Sequence, residues 1–178
     1  IAYANELSMI ADQMNLDINE VIQLANRHPR VQILKPGPGV GGYCIALNPW
    51  FLASSAPGLT QLVVKAREIN MQKTEWVIQK IKAAIQEKKA QTVACLGLTY
   101  KANVSDTRES PALAIVQALE KETKILRVDP YVSDTEPLYN ALSAAQVVVG
   151  LVAHTEFISI PSAYLDGKTV LDFAGVFT

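Results

Sequence analysis

The amino-acid sequence predicts an α/β protein: a helical N-terminal region with a long connecting helix, followed by a doubly wound, mostly parallel sheet. Three observations predict it. Apolar residues recur at three- and four-residue steps near the start, one helical pattern from Thr60 to Lys88 contains neither Gly nor Pro, and beyond Gln91 short apolar runs alternate with helical patterns.

The first helix spans Ile1 to Met14, with Ala4, Leu7, Ile10, Ala11 and Met14 as its packed stripe. No capping residue precedes it, which predicts that the chain continues N-terminally in a longer protein. Asp17 followed by Glu20 resembles a capping box opening a second helix to about Asn26. The stretch from Lys35 to Cys44 holds four glycines and two prolines, so it reads as a loop, followed after Pro49 by a short apolar helix through Trp50, Phe51 and Leu52. Thr60 then caps a pattern of 29 residues, about 43 Å of helix. That length suits a helix that joins two domains, pairs with its copy in a dimer, or does both.

In the second half, Gln91 to Leu98 reads as a buried strand and Ser110-Pro111 opens a helix to about Glu122. Strands at Lys124 to Val128, Gln146 to Val152 and Thr169 to Phe173 follow, with a short helix from Glu136 to Ala144. This alternation implies parallel pairing through right-handed crossovers, and such sheets take ligands beyond the carboxyl ends of their strands. The expected division is residues 1–88, a helical dimerisation domain, and 89–178, a ligand-binding sheet domain.

Composition narrows the function. With 16 Lys+Arg against 17 Asp+Glu among 178 residues, the net charge of −1 lacks the basic footprint of a nucleic-acid binder. The longest apolar runs are too short for a membrane span, and no charged-then-apolar leader opens the chain, so the expectation is a cytoplasmic protein. Cys44 and Cys95 make no disulfide framework, and His28 and His154 have no metal-ligand spacing.

Two constellations carry possible chemistry. Glycines 37, 39, 41 and 42 let the backbone approach a ligand, and a thiol at the end of such a loop, Cys44, is either a nucleophile or a small buried hydrophobe. Cys95, inside a strand pattern, reads as core. The second constellation, Leu96 to Pro111, runs from a strand end to a helix start, where anions are favoured. Gly97 alone stands at the turn where a dinucleotide fingerprint needs three glycines, so this half should not bind NAD in the usual way. Lys101 and Arg108 offer charge to a phosphate; Asp106 and Arg108 equally suit a local ion pair that orders the loop.

Taken in order, Asn5-Glu6-Leu7, Pro29-Arg30, Gly39-Val-Gly-Gly-Tyr-Cys44, Ala66-Arg67-Glu68-Ile69-Asn70, Gly97-Leu-Thr-Tyr-Lys101 and Ser105-Asp-Thr-Arg-Glu-Ser-Pro111 resemble the UDP-glucose/GDP-mannose dehydrogenase family. Cys44 to Phe51 and Val170 to Gly175 look most like its UDP-N-acetyl-D-mannosamine dehydrogenase branch. The resemblance implies a Rossmann-like UDP-sugar-binding domain after a central domain, and NAD-dependent oxidation of a nucleotide sugar's C6 alcohol to a carboxylate in surface-polysaccharide precursor synthesis. It implies Cys44 as the nucleophile that forms a thiohemiacetal and then a thioester, with Gly39, Gly41, Gly42 and Tyr43 along the sugar and diphosphate. Lys101, with Tyr100 beside it, matches the UDP-sugar-binding lysine, and Arg108 lies in the same motif. Arg30 matches an arginine that reaches the neighbouring subunit's site in a homodimer. Asn48 stands where the family has a water-activating aspartate, and an amide cannot act as that base. The NAD-binding domain, and the lysine and asparagine that assist the chemistry, would precede Ile1, so the chain alone is expected to bind UDP-sugar but not to turn over. UDP-N-acetylglucosamine or UDP-glucose as substrate, and a non-catalytic UDP-sugar-binding and dimerisation module, are the alternatives.

Overall fold

In a computed structural model, which describes residues 1–177, the first 88 residues form four helices: α1 (Ala2–Gln13), α2 (Ile18–Ala25), α3 (Tyr43–Ser55) and α4 (Gln61–Lys88). Asp17 caps α2 by accepting from Asn19 N at 2.8 Å. Thr60 precedes α4 as expected, but its hydroxyl donates to Ala56 O instead of capping the helix. At its far end Lys89 takes a left-handed conformation, φ 50°, and ends the helix.

Two expectations about this half are corrected. The inward face of α1 is Ala4, Asn5, Ser8 and Ala11, whereas Ile10 and Met14 are exposed. The opposing face of α4 carries Asn70 and Lys73, so polar residues on α1 find partners inside: Asn5 Nδ2 donates to Asn70 Oδ1 at 2.9 Å, and Lys73 Nζ to Ser8 Oγ at 2.8 Å. The helix after the glycine loop begins at Tyr43, not beyond Pro49, so Cys44 stands in its first turn. Gly42, at φ 78°, turns the chain into it. Pro49 lies inside α3 and removes the N–H that would bond Ile45 O; Ile45 is exposed, so water can serve that carbonyl.

The second half is a four-stranded, all-parallel sheet of order β2-β1-β3-β4, with β1 Thr92–Leu96, β2 Lys124–Val128, β3 Val147–Gly150 and β4 Thr169–Asp172. The helices between the strands are α5 (Pro111–Leu119) and α6 (Leu138–Ala144), and single 3₁₀ turns at Thr155–Phe157 and Ser162–Tyr164 precede β4. Strand alternation gives the sheet two buried faces. Val93, Cys95, Val147 and Val149 pack with Val77 and Ile81 of α4 and Ile115 and Leu119 of α5. Ala94, Leu96 and Val148 pack with Leu142 of α6 and Phe157. The distal half of α4 is therefore part of the sheet's core, while its proximal half packs on α1 and α3. The chain reverses its winding between β1 and β3, which places a crevice at their carboxyl ends. Among the described residues no helix is long and apolar enough to cross a membrane.

Candidate functional site

The glycine-rich loop fills the space between α4 and that crevice. Gly37 N donates to Asn5 Oδ1 at 2.9 Å, Thr74 Oγ1 donates to Pro38 O at 2.9 Å, and Gly42 N donates to Arg108 O at 3.1 Å. A Cβ at Gly39 would overlap Thr74 Oγ1 and lie 2.8 Å from Pro111 Cβ; at Gly41 it would overlap Glu109 O and lie 2.8 Å from Tyr100 Cβ; at Gly42 it would lie 2.8 Å from Tyr100 Cε2. These three glycines thus let the loop lie directly on protein, against the Tyr100 side chain and the turn before α5. Part of what the sequence presents as ligand approach is packing.

That contact brings most of the sequence-derived site together. The Arg108 guanidinium lies 5.5 Å from the centre of the Tyr43 ring. Cys44 is exposed, which removes its reading as a buried hydrophobe. Its position in the first turn of α3 puts it among backbone N–H groups that have no partner within the helix. Asn48, exposed, follows one helical turn later on the same side. Cys95 is core, and burial pushes its thiol up to about 12. Tyr100 and Lys101 border a cavity of about 370 Å³ whose other walls are Lys35 to Gly39 and Leu151 to Ala153, at the carboxyl ends of β1 and β3. Arg30 is exposed beyond α2, and its side chain has no hydrogen-bond or ionic partner among the described residues.

Arg108 is held locally. Its Nη2 lies 2.6 Å from Asp106 Oδ2 and its Nε 3.0 Å from both carboxylate oxygens, so the ion pair that orders the loop is formed. Hydrogen bonding to Arg108 keeps the Asp106 carboxyl below the usual carboxylate range. The Arg108 side chain is exposed and the Asp106 side chain half-buried, and such a surface pair adds little stability by itself.

Sequence reasoning gave no role to the network beneath Lys101. Asp129, just beyond β2, accepts from Leu98 N at 2.6 Å, Tyr131 N at 2.8 Å and His154 Nε2 at 3.0 Å. His154 Nδ1 accepts from Asn103 N at 2.9 Å, so Nδ1 carries no proton and the imidazole is the neutral Nε2–H tautomer. Burial alone would raise the Asp129 carboxyl, but the His154, Leu98 and Tyr131 hydrogen bonds outweigh it and hold it below its ordinary value. The network fixes both ends of the Thr99–Asn103 segment, and hence the backbone that carries Lys101. A polar residue directly after an apolar strand, Asp129, was the available signal.

The sheet does not fit a dinucleotide. Gly97, at φ 94°, has the Val152 side chain where a Cβ would go, with Val152 Cγ2 at 2.8 Å. The acidic side chain at the end of β2, which in dinucleotide-binding sheets meets the ribose, is turned inward on Leu98 N and His154.

Comparison with known proteins agrees with the motif order. The profile of the UDP-glucose/GDP-mannose dehydrogenase family, central domain, matches residues 1–72, and that of the same family's UDP binding domain matches residues 94–178. An NDP-N-acetyl-D-galactosaminuronic acid dehydrogenase of Ralstonia nicotianae is 43% identical across 100% of this chain and 45% of its own length. A UDP-N-acetyl-D-mannosamine dehydrogenase of Salmonella typhi is 42% identical across 99% of this chain and 47% of its own. The solved UDP-D-ManNAc dehydrogenase of Pyrococcus horikoshii superposes with a TM-score of 0.92 at 32% identity, covering 100% of this chain and 45% of that one. The chain thus spans about half the length of the relatives it matches.

Proposed function

Because this chain belongs to the UDP-glucose/GDP-mannose dehydrogenase family, we propose that it is the central and UDP-sugar-binding portion of an NAD-dependent UDP-N-acetyl-D-mannosamine 6-dehydrogenase. Residues 1–88 form the dimerisation domain and 89–178 the UDP-sugar domain. The observation that carries the reading is the packing of the glycine loop on Tyr100 and Glu109, which joins the lysine-bordered crevice to an exposed thiol.

In this reading Lys101, with Tyr100, meets the diphosphate of the UDP-sugar, and Gly39 to Tyr43 run along the sugar. Arg108, drawn from Asp106, and Arg30 of a second copy add positive charge. The C6 alcohol is first oxidised to the aldehyde, and Cys44 adds to that aldehyde to give a thiohemiacetal. Oxidation makes this a thioester, and water cleaves the thioester to the uronate, freeing the thiol. NAD is the oxidant at both levels, and because the sheet does not fit it, it is held by a part of the enzyme outside this chain. The chain alone is therefore inactive. Leu59, Leu62 and Phe51, which are 89%, 82% and 69% exposed, support pairing through the helical domain.

Calorimetry tests the pocket: UDP should bind the chain, and Lys101→Ala should weaken it about tenfold, as loss of a charged hydrogen bond does. Unchanged affinity would overturn the assignment. Iodoacetamide labelling of Cys44 should slow when UDP-N-acetylmannosamine is present, and equal labelling would remove the thiol from the site. Asn48 favours a second reading, a non-catalytic binding module, since no carboxylate stands one turn from Cys44. In the full-length enzyme Asn48→Asp should speed release of the acid product, and activity unaffected by that change would set the second reading aside.

A further inference from the structure

A charge that the proposed reaction does not use lies on the other side of the Lys35–Pro36 segment. Lys73 is 3% exposed, yet no carboxylate pairs with it. Its ammonium donates to Ser8 Oγ at 2.8 Å and lies 3.8 Å from the centre of the Trp76 ring. Ser8 is already engaged, donating to Asn5 O at 2.6 Å, so it orients Lys73 without neutralising it. An ammonium carries three donors, and these contacts leave at least one free.

Lys73 borders a cavity of about 260 Å³ between α1, the start of α2, Lys35–Pro36 and the turn after β4. Lys35 borders it as well and has no hydrogen-bond or ionic partner among the described residues. The wall also holds three carboxylates, each engaged elsewhere. Asp12 pairs with Lys80 at 2.5 Å, Asp17 caps α2, and Asp172 accepts from the backbone N–H groups of Ala174, Gly175, Val176 and Phe177. Asp12 acts on the Lys73 ammonium at longer range without forming an ion pair, and exposed Lys35 stands at the border of a space too large for a simple halide.

We propose that this cavity binds a phosphate group between the ammonium groups of Lys73 and Lys35. Lysine suits phosphate as a point charge, and the Asn19 side chain on the same wall adds an amide donor. Trp76 and Phe173, packed edge to face with centroids 6.0 Å apart, give the apolar wall along which the organic part of a phosphorylated ligand lies. Lys35, Pro36 and Ala174 also border the cavity beside Lys101, so the two spaces adjoin. The phosphate belongs to a separate phosphorylated anion, because the proposed function already seats the diphosphate of the UDP-sugar at Lys101.

Calorimetric titration of inorganic phosphate into the 178-residue chain tests the site. Lys73→Met should weaken binding about tenfold or more and Lys35→Gln about threefold to tenfold, with Lys65→Gln, an exposed control, unchanged. Phosphate should also alter Trp76 fluorescence in the parent chain and not in Lys73→Met. Lys35 has no partner to lose, so Lys35→Gln remains informative if Lys73→Met folds poorly. Equal phosphate affinity in parent and both variants, or no binding at millimolar phosphate, would overturn the proposal. Phosphate should bind alongside UDP, and strict competition between the two would place the phosphate in the UDP crevice and overturn a separate site.

Discussion

The sheet and the proximal helices bury different things. Among the described residues up to Trp76, the buried apolar side chains are Ala4, Ala11, Ile22 and Ala46, while Asn5, Ser8, Thr60, Arg67, Asn70 and Lys73 are buried polar ones. The sheet instead buries unbroken apolar strands such as Val147 to Val149, with its few polar groups gathered around Asp129 and Ser110. Those groups are satisfied: Ser110 Oγ donates to Leu98 O at 2.7 Å and accepts from Leu113 N, capping α5. In the helical part Arg67 keeps Nε and Nη1 buried without a partner, and burial lowers its pKa. Several of the larger apolar residues of the helical part, Leu59 and Leu62 among them, lie outside. The sheet holds itself together by area, whereas the helices hold the glycine loop through specific hydrogen bonds and contribute little apolar core of their own.

The largest test of this contrast is the one polar network on which the sheet depends. Asp129→Ala strands the N–H groups of Leu98 and His154 in the interior and that of Tyr131 at its edge, and should cost about 3–5 kcal/mol in urea unfolding. A loss below about 1 kcal/mol would mean that apolar area alone fixes the crevice. Lys73 tests the helical side. Burial lowers its pKa to about 8 from 10.5, with Asp12 opposing and Lys80 reinforcing the shift. Between those values the unfolded chain holds a proton that the folded chain has released. Stability should therefore rise with pH from 8 to 10.5, by at most about 3 kcal/mol, and the cost of the buried charge is fully present below 8. Lys73→Met should abolish that rise; a slope that persists would place its source elsewhere.

Asn5→Ala removes the partner of both Asn70 and Gly37 N, and should cost about 2 kcal/mol. Hydrogen exchange at Gly37 should quicken with it, and unchanged protection there would show that Asn5 does not hold the loop. The smallest expected effect is Ser110→Ala, about 1 kcal/mol from the lost α5 cap, with Cys44 labelling unaltered. A change in labelling would reveal that the cap also sets the turn on which Gly41 rests.

The sheet was the more legible region because apolar runs bounded by turns leave few arrangements. Lys124 to Val128 is paired over its expected length, while the first and third strands are shorter than their apolar runs. Pairing ends where Gly97, at φ 94°, turns the chain away and where Leu151 N and Val152 N converge on Leu96 O. On α1 the periodicity is present but the inward face differs from the apolar stripe, since Asn5 and Ser8 outcompete Ile10 and Met14 once α4 offers hydrogen-bond partners. The motif residues of the candidate site were visible as types and spacings; Asp129, His154 and Lys73 were not, because each depends on neighbours 25 to 65 positions away.

By itself the sequence determined the order of helices and strands, the parallel sheet, the family, and the absence of a three-glycine fingerprint after β1. These rest on local periodicity and on residue types that only a few backbone conformations tolerate. The tertiary structure alone decided that the glycines at 39, 41 and 42 lie against Thr74, Tyr100 and Glu109, that Cys44 opens a helix and stands exposed, and that His154 is neutral. Close approach and protonation depend on which groups from distant parts of the chain meet in low dielectric, and spacing along the chain does not encode that.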